Sequence, residues 1–145
     1  MKIALLLVGY GNVARRFVQL LDELHPHLAA RGVEPRIVGV MTRHGRVFDS
    51  AGLDAARVAH NIAKGDAVGP ASVPSALEWC AQLRSQSVET HVLVETTTLD
   101  IRSGEPAISH VRAAFAAGAH VITANKGPVA FAYQALASEA AAAGV

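Results

Sequence analysis

The apolar run Lys2-Ile3-Ala4-Leu5-Leu6-Leu7-Val8 is continuous rather than alternating, and Gly9-Tyr10-Gly11 cuts it short. A strand with apolar side chains at successive positions has both faces buried, which demands a sheet covered on two sides. From Asn12 the period changes. Val13, Phe17, Leu20, Leu21 and Leu24 fall on one face of a helix, and His25-Pro26 is expected to end it. The alternation then repeats. Further apolar strands are expected at Arg36–Met41, His91–Glu95 and His120–Thr123. Helices are expected over Leu53–Ala63, over Ser75–Leu83, from Gly104-Glu105-Pro106 to Gly118, and over Val129–Ala143. Thr42–Asp49 and the Gly/Pro/Ser-rich Gly65–Pro74 read as connections.

Strands alternating with helices imply an α/β fold, a Rossmann-like doubly wound parallel sheet with helices on both faces. With 145 residues, 51% apolar and 17% charged, the chain has material for one closed core and reads as a single domain, 1–145. A net charge of +1 argues against a nucleic-acid surface. The first apolar run is too short for a membrane span or a signal segment, so no membrane partner and a cytoplasmic location are expected. Cys80 is the only cysteine, which excludes an internal disulfide; beside Trp79 it reads as core rather than nucleophile. The seven histidines show no ligand spacing, and no metal is expected.

Ligands of such sheets bind at the carboxyl ends of the strands. The loops Gly9–Asn12, Glu95–Asp100 and Ala124–Pro128 should therefore converge on one edge. Gly9-Tyr10-Gly11-Asn12-Val13-Ala14 matches the dinucleotide fingerprint, with Ala14 where only a small residue fits between helix and strand. Gly9 permits the tight turn, Gly11 lets the backbone approach a pyrophosphate, and the helix N-terminus supplies N–H donors. After the second strand, no Asp or Glu lies between Pro35 and Phe48 to bind a ribose 2′-hydroxyl. Arg43 and Arg46 stand there instead, suited to a 2′-phosphate, so NADP is favoured over NAD, with Arg43 the first candidate. Glu95-Thr96-Thr97-Thr98 offers a carboxylate and hydroxyls where a nicotinamide ribose would lie, and Glu105 is expected in the first turn of its helix. In Thr123-Ala124-Asn125-Lys126-Gly127-Pro128, a lysine ends an apolar strand. Burial and a cationic nicotinamide nearby would favour its neutral amine, which suits proton transfer to or from a substrate hydroxyl.

Three stretches together, GYGNVAR, VETTTLDIRSGEPAISHVRAAFAAGAHVITANKGPVA and the chain order between them, resemble the N-terminal cofactor domain of homoserine dehydrogenase. The likeness covers essentially the whole chain and is loose over 45–90. The resemblance implies interconversion of L-homoserine and L-aspartate 4-semialdehyde with NAD or NADP, toward threonine and methionine. It implies that Gly9, Gly11, Asn12 and Val13 hold the pyrophosphate, that Arg43 holds the 2′-phosphate, and that Thr97 and Asn125 flank the nicotinamide. Lys126 falls on the lysine with a catalytic role at the hydride-transfer site. Family members continue past the residue matching Val145 into a substrate domain that carries dimer contacts, so the chain reads as truncated and the full-length form as a homodimer. Two other readings stay open: a nucleotide-binding module without catalysis, and another small-substrate amino-acid dehydrogenase.

Overall fold

The computed structural model describes residues 1–63, 75–84 and 86–145. Its centre is a five-stranded sheet of order β3-β2-β1-β4-β5, built from β1 (Lys2–Val8), β2 (Glu34–Thr42), β3 (Gly45–Phe48), β4 (Thr90–Glu95) and β5 (His120–Thr123). β1 runs parallel to β2 and β4, and β4 runs parallel to β5. The helices are α1 (Asn12–Glu23), α2 (His25–Ala30), α3 (Ala55–Ala63), α4 (Ala76–Arg84), α5 (Ala107–Ala116) and α6 (Gly127–Ala143).

The non-alternating apolar run of β1 has the expected cause. Leu5 and Leu7 pack on one side with Ala14 and Val18 of α1 and Val58 of α3. Ala4, Leu6 and Val8 pack on the other with Trp79, Cys80 and Leu83 of α4 and with Ala113 and Ala114 of α5. Trp79 meets Phe48 edge-to-face, with ring centroids 6.0 Å apart at 78°. α6 lies outside α5, where Leu136 joins Ile108 and Val111. α4 begins at a capping box: Ser75 N–H and hydroxyl both donate to Glu78 Oε2 at 2.8 Å, and Glu78 N–H donates to Ser75 Oγ at 3.3 Å. Among the described residues, no helix is long and apolar enough to cross a membrane.

Several expectations are corrected. The stretch Thr42–Asp49 is not a loop: β3 turns back on β2 as an antiparallel edge, pairing Thr42 with Gly45, so the sheet is mixed. Thr42 Oγ1 organises that two-residue turn by accepting His44 N–H at 3.1 Å and donating to Gly45 O at 3.3 Å. α1 does end just before His25-Pro26, with Leu24 as its C-cap, but a further short helix, α2, begins there with Pro26 in its first turn, where its missing N–H costs little. α5 starts one residue after Pro106, and Glu105 lies outside its first turn, capping it by accepting Ser109 N–H at 3.0 Å. β5 is an edge strand with Ile122 53% exposed. The connection expected at Gly65–Pro74 lies outside the described residues.

The inward face of α1 is also rotated from the expected one. Ala14, Phe17, Val18 and Leu21 face the sheet, while Val13, Leu20 and Leu24 are exposed. The small side chain at Ala14 sets the closest approach of helix to strand, and that contact outweighs the pull of the larger leucines. Val18→Ala should therefore destabilise the fold by about 2 kcal/mol. Leu20→Ala should cost under about 1 kcal/mol. Urea unfolding of the two variants checks the ranking.

Candidate functional site

The carboxyl ends of β1, β2, β4 and β5 meet at one edge. Gly9 N–H donates to Met41 O at 2.8 Å, Thr96 N–H to Val8 O at 2.8 Å, and Ala124 N–H to Glu95 O at 3.1 Å. Each bond carries a parallel ladder one residue past its strand, so the three loops lie side by side as their positions after strands imply. Gly9 has φ +88°, and a Cβ there would stand 2.7 Å from the carbonyl of Thr96 and 2.9 Å from Thr97 N. Thr96 Oγ1 donates back to Gly9 O at 3.1 Å and to Val8 O at 3.3 Å. The first glycine is thus wedged against the loop after β4.

Gly11 is the N-cap of α1, and no side chain caps that helix. A Cβ at Gly11 would meet nothing within 4 Å, leaving open space in front of the free first-turn amides. This opening belongs to a cavity of about 380 Å³ whose wall includes Gly9, Gly11, Arg43, His44, Thr96 and Thr97. Unpaired N–H groups and the positive end of the α1 dipole facing a cavity form an anion site. The residues present fit a dinucleotide pyrophosphate.

Of the site residues expected from sequence, Gly9, Gly11, Arg43 and Thr97 line this cavity. Asn12 and Val13 form the exposed first turn of α1 beside it and offer backbone amides rather than side chains. Arg43 is at the tip of the β2–β3 turn, where its Nε donates to His44 Nε2 at 2.9 Å. Arg46 is on β3 opposite Met41 and is not part of the wall.

Asn125 and Lys126 are not in the wall either. Asn125 is buried and spent on structure: its Nδ2 donates to Thr97 O at 3.2 Å and Thr97 Oγ1 at 3.4 Å, and its Oδ1 accepts Gly127 N–H at 2.9 Å. Lys126 is the N-cap of α6 and is exposed, not desolvated, because β5 is the edge of the sheet. Its backbone is held tightly even so. A Cβ on Gly127 would approach Gly104 Cα to 2.8 Å, so two glycine backbones are in contact where α6 begins.

Glu95 is fully buried at the end of β4. It accepts Thr97 N–H at 2.9 Å, the Thr97 hydroxyl, and the Thr123 hydroxyl at 3.0 Å. Burial pushes its pKa up, but His110 and these donors together outweigh burial and hold the carboxyl below its ordinary value. Sequence reasoning missed His110, which lines an adjoining cavity of about 350 Å³ with Thr97, Thr98 and Pro106. The available signal was a histidine placed between the apolar positions Ile108, Val111 and Ala114 of α5. Burial pushes the Cys80 thiol up to about 12, so it is core and not a nucleophile. Among the described residues, no three His, Cys, Asp or Glu side chains are grouped to hold a metal.

The sequence model of one family, described as homoserine dehydrogenase, NAD binding domain, matches residues 9–145. The chain belongs to that family. A homoserine dehydrogenase of Methanocaldococcus jannaschii is 28% identical over 145 residues, covering 97% of this chain and 42% of the relative. An NAD(+)-dependent homoserine dehydrogenase of Pseudomonas canavaninivorans is 35% identical over 130 residues, covering 87% and 36%. The fold is shared with the crystal structure of homoserine dehydrogenase from Thermoplasma acidophilum (TM-score 0.78, 22% identity, 99% of this chain and 41% of that one). It is also shared with a hyperthermophilic archaeal homoserine dehydrogenase in complex with NADPH (TM-score 0.76, 21% identity, 100% and 42%). The chain spans about two-fifths of the length of these relatives.

Two outcomes follow from the geometry. Gly9→Ala combines an unfavourable φ with a backbone collision, and should cost about 2–4 kcal/mol by thermal or urea unfolding. Glu95 has a folded-state pKa below the ordinary 4.5, so its contribution is complete above that pH and is lost as pH falls through the folded value. The stability gap between the natural protein and Glu95→Gln should therefore be widest near neutrality and should narrow below pH 4.5.

Proposed function

We propose that this domain binds NADP, with NAD as the weaker ligand, and that it is the cofactor part of an enzyme interconverting L-homoserine and L-aspartate 4-semialdehyde. Residues 1–145 are read as one NAD(P)-binding domain. The observation that carries this reading is the uncapped start of α1 behind Gly9 and Gly11, facing Arg43 across the same cavity. The bound cofactor would supply the hydride acceptor or donor. The chain's own part is to hold it: amides of Gly11, Asn12 and Val13 at the pyrophosphate, the Arg43 fork at the 2′-phosphate, and Thr97 beside the nicotinamide.

The reading gives Lys126 the proton at the substrate oxygen, and gives Asn125 the task of holding the loop on which Lys126 sits. Contacts to homoserine and a homodimer interface belong to the rest of a full-length family member. A place in threonine and methionine biosynthesis and a cytoplasmic location follow from the same reading.

The discriminating measurement is a side-by-side titration with NADPH and NADH. Arg43→Ala should weaken NADPH about 10- to 100-fold, the size of one lost charge-assisted contact, and change NADH less than about threefold. Equal affinities that the substitution leaves unchanged would remove the NADP assignment. In the full-length enzyme, Lys126→Ala should lower kcat by about 10²–10⁴ with little change in NADPH affinity. Protein that binds NADPH but never reduces aspartate semialdehyde, even at full length, would be a binding module only.

A further inference from the structure

Glu95 is an unusual group for its position. It is fully buried, yet each of its hydrogen-bond donors, Thr97 N–H, Thr97 hydroxyl and Thr123 hydroxyl, is neutral. The basic group nearest to it is His110, whose Nδ1 stands 3.8 Å from Glu95 Oε1, beyond hydrogen-bond distance. That nitrogen is itself buried and has no hydrogen-bond partner. Carboxylate and imidazole therefore face each other at ion-pair range with no hydrogen bond between them. With the neutral donors, that approach offsets the burial and favours the charged carboxylate.

The negative charge is not sealed in the core. Thr97, which donates twice to Glu95, and His110, which faces it, both line the 350 Å³ cavity at the strand ends. One side chain separates the carboxylate from the space where a ligand would rest. In a partly hydrated pocket, a fixed charge acts on a neighbour more strongly than it would in bulk water.

We propose that the Glu95 carboxylate sets the redox preference of the site, holding the oxidised, positively charged nicotinamide ring more tightly, relative to the neutral reduced ring, than the same pocket without that charge. The inference rests on the reading above that this corner receives a nicotinamide. Oxidised and reduced dinucleotides share the adenosine, the pyrophosphate and the 2′-phosphate, and they differ by one unit of charge on the ring. Contributions from Arg43, His44 and the α1 dipole to the shared parts therefore cancel in the ratio of the two affinities. A negative charge beside the ring does not cancel.

Dissociation constants for NADP⁺ and NADPH, measured by calorimetry on the natural protein, Glu95→Gln and Thr123→Val, test this. Glu95→Gln should raise Kd(NADP⁺)/Kd(NADPH) about fivefold, the effect of one unit charge at neighbouring side-chain distance in a partly hydrated pocket. Thr123→Val removes a donor to Glu95 but keeps the charge, and should leave the ratio within about twofold of the natural value. A ratio that Glu95→Gln leaves unchanged while both nucleotides still bind overturns the inference. So does an equal shift in Thr123→Val, which would trace the effect to packing. If the natural protein binds neither nucleotide, the cofactor reading fails and the inference falls with it. Should Glu95→Gln not fold, the natural protein labelled with ¹³C at glutamate carboxyls takes its place. The Glu95 resonance should then differ between the oxidised and reduced complexes, and identical resonances overturn the inference.

Discussion

The contact between Gly9 and the Thr96–Thr97 backbone is the constraint from which the rest of the edge is built. With no side chain at residue 9, the turn after β1 can press on the loop after β4, and a Cβ there would stand 2.7 Å from a carbonyl. The hydroxyl of Thr96 ties the two together from the other direction. This wedge brings the open start of α1 and the threonine loop into one cavity wall. A looser turn would leave the amides of α1 facing bulk water, where an anion gains little from them.

From that wedge a chain of polar contacts runs across the edge. Glu95 accepts from Thr97, the carbonyl and hydroxyl of Thr97 accept from Asn125, and Asn125 accepts from Gly127 N–H at the first turn of α6. The Gly104–Gly127 approach supports the end of the chain. Lys126 is consequently fixed through its backbone. The loop after β4 and the start of α6 are thus joined directly through Asn125. Buried networks of this kind hold geometry only when each member is satisfied. His110, beside Glu95, has no hydrogen-bond partner at Nδ1, and it lines the cavity together with Thr97.

Much of this was legible in the residues, for identifiable reasons. Continuous apolar runs locate β1, β2 and β4, because a strand covered on both faces cannot alternate. Gly9, Gly11 and Ala14 mark the strand–turn–helix: Gly9 is wedged against the Thr96 backbone, Ala14 is fully buried, and Gly11 leaves the space in front of α1 open. What sequence periodicity could not see was contact between distant elements. β3 is four residues long and antiparallel, and it depends on a turn organised by the Thr42 hydroxyl, a local signal that resembles an ordinary loop. The face of α1 was misjudged because side-chain size was weighed and close approach was not. Asn125 is expected beside a nicotinamide from the family resemblance; what the residues alone do not show is that its side chain bonds Thr97 and Gly127 N–H, partners that only the fold brings near.

The site is uneven in a way that bears on its chemistry. The start of α1, the Arg43 guanidinium and the Thr96–Thr98 loop lie around one cavity, the kinds of group that a dinucleotide requires. Proton transfer at a hydride centre needs more, because an amine acting there works best with water excluded. Lys126 is exposed, and β5 beside it is an open edge. Ile122 on β5 and Val129, Phe131 and Tyr133 on α6 are exposed apolar side chains. On the reading proposed for Lys126, an amine there would need cover over β5 and the start of α6, whereas an anion at α1 would need none. The two parts of this edge are therefore unlike: the start of α1 opens on a cavity wall, while Lys126 stands on an exposed strand edge.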